Sequence, residues 1–127
     1  MAWEDINHLW DVVRQTAYEI HTYHRNGHLE KVYENALAHR LRKRGLNVMQ
    51  QHPLAVFDED GTVLGNYFAD LFVENRLIVE LKACHTTSDE HTAQLLGYLK
   101  SSRIETGLLI NFGQPKLYVK KFLMSSP

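Results

Sequence analysis

The sequence predicts an α/β domain with one mixed β-sheet of about five strands flanked by three α-helices. Two stretches near the N-terminus carry apolar residues at helical spacing, and a third such stretch lies between two groups of strand-like segments. The resulting order of helix, helix, three strands, helix and two strands is typical of a single sheet covered by helices. Because no linker or internal repeat interrupts its 127 residues, we expect one domain over residues 1–127.

Within this domain, residues 1–26 are expected to form an N-terminal helix, residues 27–122 the core and residues 123–127 a frayed tail. The first helix is predicted from about Asp5 to Tyr23, because its apolar residues recur every three or four positions. It should end near Gly27, which can take the left-handed conformation that closes a helix. The acidic, amphipathic start of the chain is not typical of a signal peptide.

A second helix is predicted from about Leu29 to Arg44, ending at Gly45. Its apolar stripe should centre on Tyr33 and include Leu29, Ala36, Leu37 and Leu41. Glu30 and Glu34 then lie at the margin of this stripe, one turn apart on the same side. An exposed helix flank explains this pair as well as a ligand site does.

The strands follow the second helix. A strand-like segment runs from Leu46 to Phe57, and the turn signal at residues 58–61 leads to a second segment starting at Val63. The stretch from Gly65 to Ala83 predicts a β-hairpin, because two alternating runs flank a polar break at residues 74–76.

A third helix and two short strands complete the predicted fold. The helix should run from Glu90 to about Ser102, with Ser88 or Asp89 as its N-cap. The strands are predicted over residues 107–111 and 116–122.

The hairpin carries an unfavourable pair of charges. Alternation places two sets of side chains on opposite faces of its first strand: Phe68, Asp70 and Phe72 on one, and Tyr67, Ala69, Leu71 and Val73 on the other. A turn centred on Asn75 puts Asp70 directly opposite Glu80. Facing carboxylates in an apolar hairpin repel each other, and desolvation adds to the cost. We therefore expect a cation between them.

These acids suit a hard divalent cation such as magnesium, which binds oxygen ligands. Asp70 and Glu80 supply two carboxylates, and the backbone carbonyl of Leu81 can add a third oxygen. Lys82 lies about 7 Å along the strand from Glu80. An ammonium group there can orient or deprotonate a water, or stabilise charge on a phosphoryl oxygen. The pattern therefore favours metal-assisted hydrolysis of a phosphodiester.

The competing interpretation is a surface ion pair between Glu80 and Lys82, with Asp70 bonded to a turn. Ile78 shares the face of Glu80, so the strand is apolar on both sides and solvation does not explain the charges. Other polar pairs at helical spacing can complete a site: Glu30 with Glu34, and Gln94 with Tyr98.

Composition restricts the remaining function classes. The net charge of −1 argues against a broad nucleic-acid surface, so contacts with phosphates must be local or helped by a metal. The lone Cys84 cannot form an internal disulfide and is expected to be a small buried thiol. Since no apolar run approaches the length of a membrane span, we expect a cytoplasmic protein with no membrane partner.

Other candidate groups have structural explanations. A zinc site is disfavoured, because the break at Gly27 separates three histidines that we expect on the surface: His21, His24 and His28. The basic run from Arg40 to Arg44 fits either the C-terminal helix dipole or a phosphate backbone. We expect Trp3 and Trp10 to make core contacts, or contacts in a homodimer, rather than to stack on bases.

Several motifs in order resemble one known family. The run GHLEKVYENALAHRLRKRGL resembles the signature of the GxxExxY protein family, matched by Gly27, Glu30 and Tyr33. The later segments ADLFVENRLIVELKA, QLLGYLK and GLLINFG are similar to segments of the same family. The similarity extends from Gly27 to Gly113. The family is assigned to the PD-(D/E)xK nuclease-like superfamily.

This resemblance implies a restriction-endonuclease-like core and a DNA nuclease that uses Mg²⁺ or Mn²⁺. It gives Asp70, Glu80 and Lys82 the places of the motif's aspartate, second acid and lysine. The helix acid is Glu34 or Glu30, and resolvase-like members favour Glu34 because their acid stands three turns before the closing glycine. The resemblance also matches two helix residues to the QxxxY element of recombination nucleases: Gln94 and Tyr98. Inactive descendants of the fold suggest an alternative, a module that binds nucleic acid or protein without cutting.

Overall fold

The computed structural model describes residues 5–124, and these form one five-stranded mixed sheet with three helices. The elements in chain order are α1 (Ile6–His24), α2 (Glu30–Lys43), β1 (Val48–Phe57), β2 (Val63–Val73), β3 (Leu77–Lys82), α3 (Asp89–Ser102), β4 (Thr106–Asn111) and β5 (Tyr118–Leu123). The α/β class predicted from the sequence is therefore confirmed, and the architecture is consistent with a restriction-endonuclease-like core.

The strands lie in the sheet in the same order as in the chain, β1-β2-β3-β4-β5. Among the strands of residues 5–124, only β3 and β4 pair in parallel, and α3 forms the crossover between them. The β2–β3 register pairs Leu71 with Val79 and Val73 with Leu77, which confirms a hairpin centred on Asn75. β1 is an edge strand, where the missing N–H of Pro53 is tolerated.

Helices cover both faces of the sheet. The α1 and α2 side buries a large cluster that includes Leu9, Val13, Ile20, Leu37 and Leu41. The α3 side buries a smaller cluster that includes Tyr67, Ala69, Ile78, Leu95 and Leu99. Burial on both faces explains why β3 and β4 are apolar along most of their length.

The first helix ends within one residue of the predicted Tyr23, but Gly27 does not close it. α1 stops at His24, and the N–H of Arg25 closes it by donating to the carbonyl of His21. Gly27 does take a positive φ of 118°, but in the connection that follows the helix. Trp10 is buried in the core as expected, whereas Trp3 lies outside the residues that the structure describes.

The second helix is closed at Gly45 as predicted, and its last helical residue is Lys43. Gly45 has a φ of 88°, and its N–H donates to the carbonyl of Arg42, while the N–H of Leu46 donates to that of Leu41. This pair of bonds is a Schellman closure, which requires a left-handed residue. The predicted apolar stripe was wrong at its start, since Leu29 precedes the helix and is 79% exposed.

The third helix begins at Asp89, and Ser88 is its N-cap. The hydroxyl of Ser88 accepts a hydrogen bond from the N–H of His91. This capping arrangement decides between the two predicted caps.

Two expectations about exposed residues were wrong. The tail does not fray from residue 123, because Leu123 belongs to β5 and the N–H of Met124 donates to the carbonyl of Glu105. Residues 125–127 lie outside the described part of the chain. His21 is buried rather than on the surface, and its Nε2 atom is 2.8 Å from the carbonyl oxygen of Gln114.

Candidate active site

Asp70 and Glu80 lie where β2 and β3 separate. The paired register ends at Leu71 and Val79, and one step further the two carboxyl groups occupy the space between the strands. Glu80 Oε1 accepts a hydrogen bond of 3.3 Å from the N–H of Asp70, and Asp70 Oδ2 accepts one of 2.9 Å from the N–H of Leu81. Each carboxylate therefore accepts a hydrogen bond from a backbone N–H of the opposite strand.

The environment of Glu80 disfavours its charged form. Burial is the main cause, and the charge of Asp70 is the second, so that the pKa of Glu80 is raised to about 7. Hydrogen bonds from Tyr67 and the N–H of Asp70 and the charge of Lys82 act in the opposite direction without cancelling the effect. Ionisation of Glu80 therefore carries an electrostatic cost in this partly buried fork between the strands.

Tyr67 is a site residue that the sequence interpretation missed. Its hydroxyl donates a hydrogen bond to Glu80 Oε1. Burial, followed by the charge of Glu80, raises the pKa of the phenol above its ordinary value, so the hydroxyl keeps its proton. Tyr67 also stacks on Tyr98 of α3, with ring centroids 3.7 Å apart and planes 12° from parallel.

The position of Tyr67 corrects the predicted alternation of β2. Tyr67 and Ala69 pack with Phe72 on the α3 side, whereas Leu71 packs on the α1 and α2 side. The strand therefore changes face between Ala69 and Leu71, and Asp70 lies at this change. A tyrosine three residues before the acid was the only signal in the sequence.

Glu34 is buried, rather than at the margin of its helix, and is heavily hydrogen-bonded. Lys31 Nζ lies 2.7 Å from Oε2, Gln50 Nε2 donates to Oε2 at 2.8 Å, and Gln51 Nε2 donates to Oε1 at 2.8 Å. Burial alone raises the pKa of Glu34, but these hydrogen bonds outweigh it and hold the pKa below its ordinary value. The carboxylate is therefore ionised at neutral pH.

Gln51 connects Glu34 to the hairpin. The same Nε2 atom lies 3.1 Å from Asp70 Oδ1, so one amide group joins an acid of α2 to an acid of β2. The sequence interpretation missed Gln51 as well. Two consecutive amides in this strand, Gln50 and Gln51, were the available signal.

The alternative helix acid, Glu30, is linked to the site by charge. The Glu30 side chain is exposed overall, but its carboxyl group is partly desolvated. This desolvation is the main cause that raises the pKa of the carboxyl group, and the charge of Asp70 is the second. Lys82 lowers that pKa and Glu34 raises it, so Glu30 lies within electrostatic range of all three. Only Glu34, however, shares a hydrogen-bond donor with Asp70.

Three further predicted residues differ in how they relate to the acids. Lys82 is half-buried at the end of β3, and its charge favours the ionised forms of Glu80 and Glu30. Tyr98 reaches the acids only through Tyr67. Gln94 is exposed, and none of the hydrogen bonds among residues 5–124 joins its side chain to the site.

Tyr33 of the predicted signature supports the backbone rather than the acids. Its hydroxyl donates to the carbonyl of Arg25 at 2.5 Å and accepts from the N–H of His28 at 3.1 Å. Its ring stacks on Phe112 with centroids 4.6 Å apart. Tyr33 thus fixes the connection between α1 and α2, and with it the start of the helix that carries Glu34.

The donor set suits magnesium or manganese better than zinc. Among residues 5–124 no group of three or more His, Cys, Asp or Glu side chains is arranged as a metal cluster, and the rings of His24 and His28 stack edge to face instead. Magnesium commonly binds through one or two carboxylates and completes its shell with water. The paired oxygens of Asp70 and Glu80 fit that requirement.

The basic end of α2 is only partly free to bind a ligand. Arg42 donates to Gln50 and to the carbonyl of Val48, and Arg44 donates to Thr16 and Glu19. A groove of about 570 Å³ between α1 and α2 is lined by Glu19, His24, Ala36, His39, Arg40, Lys43 and Arg44. Its lining includes none of the candidate site residues.

None of the helices within residues 5–124 has both the length and the apolar character to cross a membrane.

Comparisons with known proteins identify the family and a structure with a similar fold. A family model described as the PD-(D/E)XK nuclease superfamily matches residues 7–122. The crystal structure of a protein called SSO0001 is similar with a TM-score of 0.59 and 17% sequence identity over 76% of this chain. The match covers 50% of that protein, so this chain spans about half its length, and at this identity the likeness concerns the fold. The curated proteins contain no significant match.

Proposed function

Because the chain belongs to the PD-(D/E)XK nuclease superfamily, we propose that it is a Mg²⁺- or Mn²⁺-dependent nuclease that hydrolyses DNA phosphodiester bonds. The narrower assignment to the GxxExxY family is part of this proposal. The observation that carries it is the fork between β2 and β3, where Asp70 and Glu80 meet and a hydrogen-bonded amide brings Glu34 to them.

The acids are assigned to cation binding. Asp70 and Glu80 would hold the ion with the carbonyl oxygen of Leu81, and Glu34 or Glu30 would complete the set. A bound divalent cation supplies Lewis acidity toward a phosphoryl oxygen and lowers the pKa of a bound water. Because ligand carboxylates must be ionised, Glu80 has to release its proton, and the neighbouring positive charge of Lys82 favours that release.

The other residues orient the reactants. Lys82 would position the attacking water and stabilise negative charge that develops on the phosphoryl oxygens. The Tyr67 hydroxyl fixes one oxygen of Glu80, and the stacked ring of Tyr98 holds Tyr67 in place. Gln94 is exposed one turn before Tyr98 and is assigned to contact with substrate. Cys84 is the single cysteine of the chain, which favours a reducing cytoplasm as the location.

Metal binding tests this proposal without requiring the correct substrate. We expect the purified protein to bind Mn²⁺ in a calorimetric titration, and Asp70→Ala and Glu80→Ala each to abolish the binding heat. Glu59→Ala, in the exposed β1–β2 turn, is the matched control and should bind as the wild type does. Absence of binding by the folded wild-type protein would remove the catalytic claim.

A second candidate function is a nuclease-fold module that binds nucleic acid without cutting it. The basic groove between α1 and α2 favours it, because this groove is separate from Asp70, Glu80 and Lys82. Such a module would retain DNA in the presence of EDTA and leave it intact after Mn²⁺ is added. A nuclease would shorten the DNA after the same addition.

A further inference from the structure

Gln51 has an unusual backbone conformation for a residue within a strand. Its φ is 48°, although its neighbours in β1 are regularly paired, Gln50 with Leu71 and His52 with Ala69. Left-handed φ values are uncommon for residues other than glycine, and a residue held in one is strained. The surrounding sheet therefore holds Gln51 in a conformation that its own chemistry does not favour.

The conformation has a specific result for the side chains. Successive residues of a strand normally point to opposite faces. Here Gln50 and Gln51 both donate hydrogen bonds to the carboxylate of Glu34, one to each oxygen. The left-handed residue thus lets two consecutive side chains reach one buried acid.

Gln51 also makes a bond that Gln50 does not make. Its Nε2 atom is 2.8 Å from Glu34 Oε1 and 3.1 Å from Asp70 Oδ1, so each amide hydrogen can serve one carboxylate. Within residues 5–124 no other side chain is hydrogen-bonded to both acids. An amide is neutral, so it holds two acids together without cancelling the negative charge that attracts a cation.

We propose that Gln51 is a positioning residue that sets the spacing of the Glu34 and Asp70 carboxylates for one divalent cation. This inference rests on the proposed metal site and concerns a residue that is not one of its ligands. Partners that orient metal ligands typically change metal affinity by about 10–100-fold when they are removed. The left-handed backbone is then part of the site, because it turns the amide toward both acids.

Two substitutions separate the side chain from the backbone. Gln51→Gly removes the amide and accepts a positive φ without strain, whereas Gln51→Leu removes the amide and retains the strain. If the amide positions the acids, both variants should bind Mn²⁺ about 10–100-fold more weakly than the wild type. Gln50→Leu is the matched control. It removes the bond to Glu34, together with the bonds of Gln50 to Asn35 and Arg42, but leaves the bridge. Its loss of Mn²⁺ affinity should therefore stay below about tenfold.

The measurement is the Mn²⁺ dissociation constant by calorimetry, with circular dichroism to show that each variant is folded. If Gln51→Gly bound Mn²⁺ with wild-type affinity, loss of the amide alone would not weaken binding, and the proposal would be overturned. Wild-type affinity in both Gln51 variants, or an equal loss in Gln50→Leu, would also overturn it. In these cases Mn²⁺ binding by the wild type would still support the proposed metal site. If the wild type bound no Mn²⁺, both the metal site and the role of Gln51 would be refuted.

Discussion

Glu80 should make the stability of the metal-free protein depend on pH. Its pKa is about 7 in the folded protein and has an ordinary value of 4.5. Between these values the folded state binds more protons than the unfolded state, so the free energy of unfolding falls as the pH rises. The stabilisation is fully present below the unfolded pKa and is lost as the pH passes the folded pKa.

The expected magnitude follows from the two pKa values. Linkage gives a loss of about 2.5 kcal/mol in the free energy of unfolding between about pH 5 and about pH 8. Glu80→Gln removes the titration, but its amide oxygen can still accept from the hydroxyl of Tyr67 and the N–H of Asp70. The difference between wild type and variant therefore isolates this one group from others that titrate in the same range.

Urea unfolding in EDTA, repeated across this pH range, measures the effect. We expect the stability of the wild type to fall relative to Glu80→Gln by about 2.5 kcal/mol, most steeply near pH 6. Glu59→Gln, in the exposed β1–β2 turn, is the control and should run parallel to the wild type. Parallel curves for wild type and Glu80→Gln would refute the conclusion that burial and the charge of Asp70 raise the pKa of Glu80.

Three further substitutions test how the site is supported. Tyr67→Phe removes a hydrogen bond that lowers the pKa of Glu80, so the affinity for Mn²⁺ at neutral pH, measured by calorimetry, should fall. Unchanged affinity would contradict the role assigned to Tyr67. Tyr33→Phe leaves the carbonyl of Arg25 without its donor and should lower the free energy of unfolding in urea by about 1–3 kcal/mol. An unchanged free energy of unfolding would mean that the α1–α2 connection does not need this bond. Gly113→Ala places a methyl group 2.3–2.5 Å from the backbone of residues 83 and 84 and should lower the free energy of unfolding by about 3 kcal/mol or more. Gly65→Ala is the control, because a methyl group there has nothing within 4 Å, and its thermal midpoint should change little. Equal thermal midpoints for the two variants would refute the close approach at Gly113.

The pairing of the central hairpin could be predicted because its determinants are local. The polar break around Asn75 and the apolar alternation on each side fix a register in which Leu71 meets Val79. The Schellman closure at Gly45 follows equally from a glycine after a basic last turn. These features need only residues near each other in the sequence.

The details of the site depend on contacts distant in sequence. The change of face at Asp70 occurs beside Gln51 of the neighbouring strand, whose left-handed φ is not favoured by its residue type. The burial of Glu34 likewise requires donors from β1, since a helical projection alone places this acid at a margin. Tyr67 reaches Glu80 only because β2 changes face between Ala69 and Leu71. Periodicity assumes regular strands, and here the strands become irregular where the acids meet.

A cleavage assay tests the central claim most directly. Wild type, Asp70→Ala and Lys82→Ala would be incubated with Mn²⁺ and with single-stranded, double-stranded and branched DNA, and with RNA. We expect the wild type to cut at least one DNA form, and both variants to leave it intact although they remain folded. A wild type that binds Mn²⁺ but cuts none of these substrates, or a Lys82→Ala variant that cuts as fast as the wild type, would contradict the proposed mechanism.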